Sequence, residues 1–278
     1  IGVDFANGLS LVQASDVFPY RFVVNTDERL YSLQTGHDAT LLLVPSTKGA
    51  FAAARVYRDV SGFKPAAGVA KLKGRMCIDW WGGHDIAEDI RRAGAYGLND
   101  SVFIKHSWQR WGYDYRLPDI YPPNCDPETW NAWIAACHEA SMLFGVHDNY
   151  IDFYPDASGF SYRHILFNAD GTPQRAWLNK GRGAQSYRWL PGAYWPWLER
   201  NVKLIKEGFA PTAYFIDVFS AIPLLDYYDQ EGNFHTKIEC AEHWGRTFDY
   251  VRQALGDNAP QISEAGHDGL IGHLDGCQ

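Results

Sequence analysis

The sequence predicts an α/β protein: a (β/α)8 barrel of the TIM type with only about five of its strands, preceded by part of a β-sandwich. Three observations lead to this prediction. From residue 74 onward, short apolar runs alternate with helical patterns, as in repeated βα units. Residues 1–62 instead give β-leaning runs separated by Gly, Asp, Asn and Pro. Polar residues end each apolar run of the second region, where barrels carry their functional sites.

The first region is predicted to be a separate domain, residues 1–62. Its strand-like runs cover residues 21–25, 30–33, 39–44 and 54–58. These are too few strands to close a β-sandwich, so we expect a partial one. Residues 61–73 are interpreted as a linker, and residues 63–278 are assigned to the barrel.

The barrel domain is predicted as five βα-type units in sequence order. The predicted strands cover residues 75–81, 101–107, 143–149, 213–219 and 261–264. The predicted helices cover residues 85–96, a segment that starts at Asp126-Pro127, residues 195–208 and residues 240–255, with Gly208 and Gly256 as stop signals. Residues 150–191 are too long for a routine connection, which indicates a functional insertion. Because a full barrel has eight strands, we expect the sequence to be a piece of a longer polypeptide.

The composition argues against two classes of partner and favours a third. The net charge is −8 and no Lys/Arg run exceeds two residues, so no nucleic-acid partner is expected. No stretch approaches the ~18 consecutive apolar residues of a membrane span, so no membrane insertion is expected. Aromatic residues make up 15% of the chain, and many fall in polar, loop-like segments. Such rings suit carbohydrates, whose C–H faces pack on them while hydroxyls hydrogen-bond around the rim.

Two carboxylates at neighbouring strand ends are the candidate catalytic residues. Asp217 and Glu264 each follow a short apolar run, where a carboxylate is costly unless it is paired or used. Carboxylates on adjacent barrel strands can meet the separation of about 5–5.5 Å that retaining glycoside hydrolysis requires. Asp217, deeper in an apolar strand, suits the nucleophile, and the longer Glu264 suits the general acid/base. A strand-end carboxylate that caps the next loop is the alternative.

Three short motifs carry a resemblance to a known family. They are His147-Asp-Asn149 followed by Asp152 and Tyr154-Pro155, then Tyr214-Phe-Ile-Asp217-Val-Phe, then Ile262-Ser-Glu264-Ala-Gly266. Together they resemble the endo-α-N-acetylgalactosaminidases of glycoside hydrolase family 101, the α-N-acetylgalactosaminidases of family 129 and their bacterial relatives. The resemblance implies that Asp217 is the nucleophile and Glu264 the acid/base, and that a β-sandwich precedes the barrel. Phe219 and Ala265 stand where the family has Trp.

The remaining strand ends and their loops supply the candidate substrate-binding residues. These are Asp79, Trp81, Lys105, His106, Trp108, His147, Asn149 and Tyr154. By the resemblance, His147 and Asn149 match a strand end of the family that contacts the sugar. Lys105 is expected to contact a sugar hydroxyl or carboxylate, or else to neutralise a neighbouring Asp. Trp108, Trp111 and Tyr113 suit a stacking platform for a sugar ring, or else they pack within their own loop.

No cofactor is predicted to be required, and no metal ligand is assigned. The string Gly-His-Asp occurs at residues 83–85 and again at residues 266–268, at two strand ends. Metal ligation there is an alternative to turn capping, although no HxH or HExxH spacing accompanies the strings. A structural calcium ion is an alternative to a solvated acidic loop around Asp226, Asp229, Glu231 and Asn233.

These observations predict a retaining α-glycoside hydrolase that releases N-acetylgalactosamine-type or other α-galacto-configured sugars from a carbohydrate or glycopeptide. A metal-dependent barrel hydrolase and a non-catalytic carbohydrate-binding protein are the alternatives. The five cysteines show no metal-ligand spacing, and their odd number does not decide the redox compartment. Compartment, oligomeric state, linkage specificity and endo or exo action are left open.

Overall fold

The structure is a computed structural model of the 278-residue chain. It describes residues 10–13, 21–23, 30–34, 50–82 and 85–278. The chain divides into two compact units, Ile1–Lys64 and Pro65–Gln278. All the candidate functional residues belong to the second unit.

The first unit contains a small antiparallel sheet and one helix. The sheet has the strand order β1-β3-β2, with β1 at Ser10–Gln13, β2 at Arg21–Val23 and β3 at Leu30–Gln34. The predicted strands at 21–25 and 30–33 correspond to β2 and β3, and the one at 39–44 lies outside the described residues. The strand predicted at 54–58 is wrong, because helix α1 spans Ala50–Ser61. Four of its first five residues are alanine, the strongest helix former.

The second unit is built on six parallel strands that curl into a half-barrel. The strands are β4 (Cys77–Trp80), β5 (Val102–Lys105), β6 (Leu143–Asp148), β10 (Ala213–Ile216), β13 (Gln261–Ser263) and β14 (Gly276–Cys277). Each pairs with the next in this series, as successive units of a (β/α)8 barrel do. The five predicted strands are present. The sixth, β14, was missed because two residues are too short to give a strand pattern.

Helices follow four of these strands. They are α3 (Ile86–Ala95), α4 (Pro127–Glu139), α5 (Trp195–Phe209) and α6 (Lys237–Leu255), and the short α2 (Val69–Leu72) precedes β4. Asp85 and Asp126 cap α3 and α4 by accepting a backbone N–H of the first turn. Thr236 and Glu239 form a reciprocal capping box at the start of α6. Side-chain caps therefore fix where these three helices begin.

The predicted stop of α5 at Gly208 is wrong. The helix continues to Phe209, and Ala210 takes the left-handed conformation with φ of 45°. Gly208 serves close packing instead, because a Cβ at this position would lie 2.9 Å from the Tyr121 hydroxyl. Gly256 follows the last residue of α6 with φ of 83°, as its predicted stop role requires.

Side chains of the parallel strands alternate between two cores. Those on one face form a small cluster inside the half-barrel: Val102, Ile104, Ala213, Phe215 and Ile262. Those on the other face join a larger core with the helices, which includes Phe103, Phe144, Val146, Tyr214 and Ile216. Successive side chains of a strand point to opposite faces, so this alternation decides which strand-end residues face the interior.

Two insertions follow barrel strands. The first lies within residues 150–191 and forms an antiparallel sheet of β7 (Asp152–Phe153), β9 (Ala184–Arg188) and β8 (Arg175–Asn179). The second is a hairpin of β11 (Tyr227–Tyr228) and β12 (Phe234–His235). Both extend the half-barrel at its carboxyl edge. Among the described ranges, no helix is both long and apolar enough to cross a membrane.

Candidate active site

Asp217 and Glu264 lie at matched positions on the carboxyl edge of the half-barrel. Strands β10 and β13 are paired in parallel, and the two carboxylates are the first residues beyond their last register pair. Asp217 lies two positions after Phe215 and Glu264 two after Ile262, so both continue the interior face. Asp217 is 8% exposed, and Glu264 is half-buried. The structure therefore places the predicted pair at adjacent strand ends of one edge.

Three side chains surround the Asp217 carboxylate. The Tyr113 hydroxyl donates a hydrogen bond to Oδ2, and Asn149 Nδ2 donates to the same oxygen at 3.2 Å. His147 Nε2 lies 3.6 Å from Oδ1. Burial raises the pKa of Asp217 to about 8; the Tyr113 hydrogen bond opposes the rise, and the charge of Glu264 adds to it. The donors favour the ionised form in a site that otherwise disfavours it.

Glu264 has a more open environment. The Ser220 hydroxyl donates to its backbone carbonyl and anchors the strand end. The Glu264 side chain is half-buried, whereas Asp217 is buried. A half-buried carboxyl group can exchange a proton with a ligand or with water.

The buried Asp217 carboxylate is expected to lower folding stability at alkaline pH. Its pKa of about 8 in the folded protein exceeds the ~3.9 of an unfolded chain, so its contribution to stability is complete below pH ~4 and lost as the pH rises through 8. Asp217→Asn removes this charge. We expect the variant of the full-length protein to unfold about 4 °C or more above wild type at pH 9, and at the same temperature at pH 4.

Thermal unfolding followed by circular dichroism between pH 4 and pH 9 measures this difference. Asp100→Asn is the matched control, because the Asp100 side chain is 73% exposed. Its melting temperature should follow that of wild type at every pH. A stabilisation by Asp217→Asn that is independent of pH, or that is larger at pH 4 than at pH 9, would contradict the raised pKa.

Asn149 connects the site to the inserted sheet. Its Nδ2 also donates to Asp152 Oδ2 at 2.8 Å and to the Tyr113 hydroxyl at 3.2 Å. Its Oδ1 accepts two backbone N–H groups of the following turn, at 2.7 and 2.9 Å. Asp152 Oδ1 in turn accepts from Ser186 Oγ at 2.6 Å and from the Trp177 backbone N–H at 3.0 Å. Both polar atoms of the Asn149 side chain thus have partners in the folded protein.

Asp79, Trp81 and His106 form a second group at the ends of β4 and β5. His106 Nδ1 lies 3.1 and 3.2 Å from the two Asp79 oxygens, and it carries the proton because a carboxylate only accepts. Trp81 Nε1 donates to Asp79 Oδ2 at 3.0 Å, and its ring stacks on His106 with 3.5 Å between centroids. Trp81 is 63% exposed, so it presents an aromatic face to a ligand.

His147 lies between the two groups. Its ring centroid is 3.7 Å from that of His106 and 4.8 Å from that of Tyr113. Burial, with a contribution from the charge of His106, lowers the pKa of His147 well below its usual range, so the ring is neutral. Among the described residues, His147 Nδ1 and His106 Nε2 have no hydrogen-bond partner although both are buried. The site therefore has unused hydrogen-bonding capacity beside Asp217.

Residues directly after three of these side chains adopt left-handed conformations. Ser107 follows His106 with φ of 46°, Val218 follows Asp217 with φ of 66°, and Ala265 follows Glu264 with φ of 45°. A β-branched residue such as Val218 is an outlier there. Such conformations cost about 1–3 kcal/mol each and cluster at functional sites. The strand ends of this edge thus turn sharply after each polar side chain.

Lys105 does not lie in the interior, so its assignment to substrate binding is corrected. Lys105 lies two residues after Phe103 in β5, so both side chains point to the face that packs on the helices. Its Nζ donates to the His106 carbonyl and lies 5.7 Å from the ring centre of Trp133. Burial lowers the pKa of Lys105 to about 8. Every residue of β5 is buried, so the sequence did not show which face of the sheet Lys105 would join.

Trp108 and Tyr154 are also misplaced in the predicted substrate-binding set. Trp108 is fully buried, donates from Nε1 to the His147 carbonyl at 2.7 Å and packs on Trp130. Tyr154 is fully buried, and the Arg182 guanidinium lies 4.5 Å from its ring centre. Neither ring can stack on a ligand, because the surrounding core covers it.

Tyr113 and Asp152 make contacts that the sequence did not indicate. Tyr113 is predicted to form part of a stacking platform, and its hydroxyl donates a hydrogen bond to Asp217. Asp152 stood in a family motif without a role, and it proves to hold Asn149. Trp111 is the third ring of the predicted platform. The guanidinium groups of Arg110 and Arg116 lie 4.6 and 4.7 Å from its ring centre. A lone Tyr in a loop carries no signal of its partner, so the sequence could not assign it.

Asp79, His106 and His147 are the group best suited by residue type to hold a metal ion within the described residues. One potential ligand atom of each lies within 4.8 Å of the others. The His106 and His147 rings lie 3.7 Å apart between centroids and are inclined by 37°. Both Asp79 oxygens already accept hydrogen bonds, from His106 and Trp81. Metal binding by this group stays an untested alternative.

The acidic loop considered for calcium engages its carboxylates in its own turns. Asp229 accepts from the backbone N–H and from Nδ2 of Asn233, both at 2.8 Å. Asp226 Oδ1 accepts from the Lys237 backbone N–H at 2.7 Å. Calcium binding here stays an untested prediction.

The two Gly-His-Asp strings lie in different settings. In the first, Asp85 caps α3 by accepting from the Glu88 N–H at 3.0 Å, and residues 83–84 lie outside the described residues. In the second, a 3-10 turn spans Asp268–Leu270. The Asp85 side chain therefore has the capping role that was the alternative to metal ligation.

An open cleft of about 680 Å³ lies beside the site, but neither Asp217 nor Glu264 lines it. Trp81 and Tyr113 line one part of it, and Trp177, Leu178 and Asn179 of β8 line another. Its volume lies in the range of small-molecule pockets, roughly 300–1,000 Å³. The fold and site together define a half-barrel of the TIM class with a carboxylate pair at its carboxyl edge and, beside it, a cleft lined by aromatic rings.

Comparison with known proteins identifies similar folds. No family model matches the sequence, and no curated protein matches it significantly. Among solved structures, the α-N-acetylgalactosaminidase NagBb from Bifidobacterium bifidum in its GalNAc complex is similar with a TM-score of 0.67 and 22% identity. That match covers 91% of this chain and 45% of that one. The ligand-free NagBb gives a TM-score of 0.66 and 23% identity, over 91% and 46% of the two chains.

A second kind of enzyme shares the fold. TtGalA, an α-galactosidase from Thermus thermophilus in complex with stachyose, is similar with a TM-score of 0.57 and 18% identity, over 90% of this chain and 52% of that one. At these identities the likeness establishes the fold alone. The chain spans less than half the length of the NagBb structures.

Proposed function

We propose that these residues form the catalytic centre of a retaining α-glycoside hydrolase that acts on α-linked N-acetylgalactosamine or another galacto-configured sugar. The observation that carries the proposal is the pair Asp217 and Glu264. One is a buried carboxylate held by donors, and the other is an open carboxyl group at the matched position of the adjacent strand. Retaining glycosidases need such a pair, with one member ionised and the other able to exchange a proton. Because burial raises the pKa of Asp217 to about 8, we expect the reaction to use its ionised fraction, which grows as the pH rises towards 8.

In the first step Asp217 attacks the anomeric carbon. Tyr113 and Asn149 hold Oδ2, which leaves Oδ1 as the attacking oxygen. The bond from Oδ1 to the anomeric carbon forms as the bond to the leaving oxygen breaks, and Glu264 transfers its proton to that oxygen. The products are a glycosyl ester of Asp217, the free leaving group and an ionised Glu264.

In the second step Glu264 acts as a base. It removes a proton from a water molecule, whose oxygen attacks the anomeric carbon and displaces the Asp217 carboxylate. Two successive inversions retain the α configuration. Asp217 returns to the ionised state and Glu264 to the protonated state, so the cycle closes.

The second group of side chains suits recognition of the sugar. Trp81 offers an exposed aromatic face for the C–H face of a pyranose. His106, with its Nδ1 proton held by Asp79, can accept a sugar hydroxyl at Nε2. His147 Nδ1 can bind another polar group of the sugar. These roles of Asp79, Trp81, His106 and His147 belong to the proposal.

The galacto configuration is inferred from the solved structures that share this fold. NagBb is an α-N-acetylgalactosaminidase and TtGalA is an α-galactosidase, and both therefore act on sugars with an axial 4-hydroxyl. Both also act on the α anomer. The fold that this chain shares with both supports the same choice here.

Hydrolysis of aryl glycosides by the full-length protein tests the proposal. We expect release of the aryl group from the α-N-acetylgalactosaminide or the α-galactoside, with the α anomer of the sugar as first product by NMR. The matching α-glucosides, which differ only at carbon 4, should react much more slowly. Binding of the sugars without hydrolysis, unchanged in Asp217→Ala and Glu264→Ala, would instead support a non-catalytic carbohydrate-binding protein.

A further inference from the structure

Asp148 is a fully buried carboxylate that the proposed mechanism does not use. It lies between His147 and Asn149 at the end of β6, and the strand alternation turns it away from the interior. There it belongs to the face of Val146, under the helices. An isolated buried charge is costly, so its contacts need a reason.

The Asp148 carboxylate is well supplied with donors. The Tyr214 hydroxyl donates to Oδ2 at 2.7 Å, and the backbone N–H of Asn149 donates to Oδ1 at 2.9 Å. Tyr150 also hydrogen-bonds to it. Burial raises the pKa of Asp148 to about 6, and the hydrogen bonds from Tyr214 and Tyr150 oppose the rise. At neutral pH the group is therefore an anion, held by donors from three places in the chain.

Two contacts of Asp148 connect it to Asp217. The Asn149 N–H that Asp148 fixes belongs to the residue whose amide donates to Asp217. The backbone N–H of Asp217 donates to the Asp148 carbonyl at 2.8 Å. Asp148 therefore sets the backbone at the start of Asn149 and at Asp217, from the side opposite to the ligand.

We propose that Asp148 is a positioning residue for Asp217: by holding the Asn149 backbone from behind the strand, it keeps the Asn149 amide directed at the nucleophile. This inference rests on the proposed function. Asp148 contacts neither substrate nor the reacting atoms. Its loss leaves the Asn149 N–H without its acceptor, the turn relaxes, and Asp217 loses one of the two donors on Oδ2.

The link between Asp148 and the helices makes the position rigid. Tyr150 accepts from Asn201 Nδ2 of α5 at 3.2 Å, and the same amide donates to the Pro118 carbonyl at 3.1 Å. Residue 118 lies in the same connection between β5 and α4 as Tyr113, the second donor to Asp217. The buried network thus ties both donors of Asp217 to one helix.

Three variants of the full-length protein test the proposal. Asp148→Ala and the bulkier Asp148→Leu remove the acceptor, whereas Asp148→Asn keeps an oxygen for the Asn149 N–H. Tyr214→Phe is the matched control, because it removes a hydrogen bond to the same carboxylate without touching Asn149. Each variant is assayed on the aryl α-glycoside that wild type hydrolyses, and kcat is referred to the folded fraction.

We expect Asp148→Ala and Asp148→Leu to lower kcat roughly 10- to 100-fold with KM within about threefold of wild type. The acid limb of their kcat/KM profile should move to higher pH, because Asp217 loses a donor to its ionised form. Asp148→Asn should restore most of kcat, and Tyr214→Phe should keep wild-type kcat. A purely structural role would lower melting temperature without moving the pH limb.

The proposal is overturned if the folded deletion variants keep wild-type kcat and pH profile, if Asp148→Asn is as slow as Asp148→Ala, or if both deletion variants fail to fold. A wild-type protein that hydrolyses none of the aryl glycosides would overturn the proposed function first. Failure of the proposed function is thus recognised from wild type alone, whereas failure of the role of Asp148 is recognised from the variants.

Discussion

Asp217→Ala is expected to reduce kcat on aryl α-glycosides by on the order of 10⁴-fold or more in the full-length protein. The carboxylate is the group that forms the bond to the anomeric carbon, and no other described carboxylate is held by the Tyr113 and Asn149 donors. Binding should persist, because the sugar-facing Trp81 and His106 are unchanged. We therefore expect the dissociation constant of the product sugar to stay within about tenfold of wild type.

Steady-state kinetics and isothermal titration calorimetry with the product sugar measure the two quantities. Asp100→Ala, a change of an exposed Asp at a helix-to-strand connection, is the control and should behave as wild type. Retention of more than a few per cent of wild-type kcat in Asp217→Ala, with the fold intact, would remove Asp217 from the role of nucleophile.

Glu264→Ala is expected to give a loss that depends on the leaving group. A poor leaving group such as an alkyl alcohol needs the proton of Glu264, so its kcat should fall roughly 10³- to 10⁴-fold. Fluoride and dinitrophenolate leave without protonation. With a glycosyl fluoride or a dinitrophenyl glycoside as substrate, formation of the glycosyl ester should therefore remain fast. The ester then accumulates, because no base activates water.

Azide is expected to restore turnover of Glu264→Ala on the activated substrates. It is a small anion that needs no base, and it attacks the anomeric carbon of the ester and displaces Asp217. The product is the α-glycosyl azide, whose retained configuration is read by NMR. Wild type with azide is the control. An equal loss on all leaving groups with no response to azide would show that Glu264 is not the acid/base.

The strand-end pattern predicted the carboxylate pair because two signals coincided. Asp217 and Glu264 each end an apolar run, and neighbouring βα units place neighbouring strands side by side in a barrel. The alternation of strand side chains then accounts for the error at Lys105. Its position is one residue before the interior-facing His106, and in a fully buried strand both faces are apolar. The sequence alone does not show which of the two is the interior face.

Contacts that depend on loops could not be predicted in the same way. Tyr113 reaches Asp217 from a loop more than a hundred residues away, and no periodic pattern links the two. The cover over Trp108 comes from Trp130 and Phe209, on two different helices. An aromatic residue in a polar segment has the same local sequence whether it faces a ligand or a core. Tertiary packing decides between them.

Two buried carboxylates at these strand ends lower the stability of the folded protein when they are ionised. Asp217 and Asp148 lie at the ends of the paired strands β10 and β6, on opposite faces of the sheet. Burial raises the pKa of both. Asn149 donates to both of them, from its side-chain amide to Asp217 and from its backbone N–H to Asp148. A site built in this way keeps its geometry at a cost in folding stability.

Trapping the glycosyl-enzyme tests directly whether Asp217 is the nucleophile. The full-length protein is incubated with the 5-fluoro-α-glycosyl fluoride of the sugar whose aryl glycoside it hydrolyses, digested with pepsin at low pH, and mapped by mass spectrometry. We expect one added sugar on the peptide that contains Asp217, and none on that peptide in Asp217→Ala. A sugar attached to another carboxylate, or full turnover of the reagent with no adduct on any peptide, would contradict it.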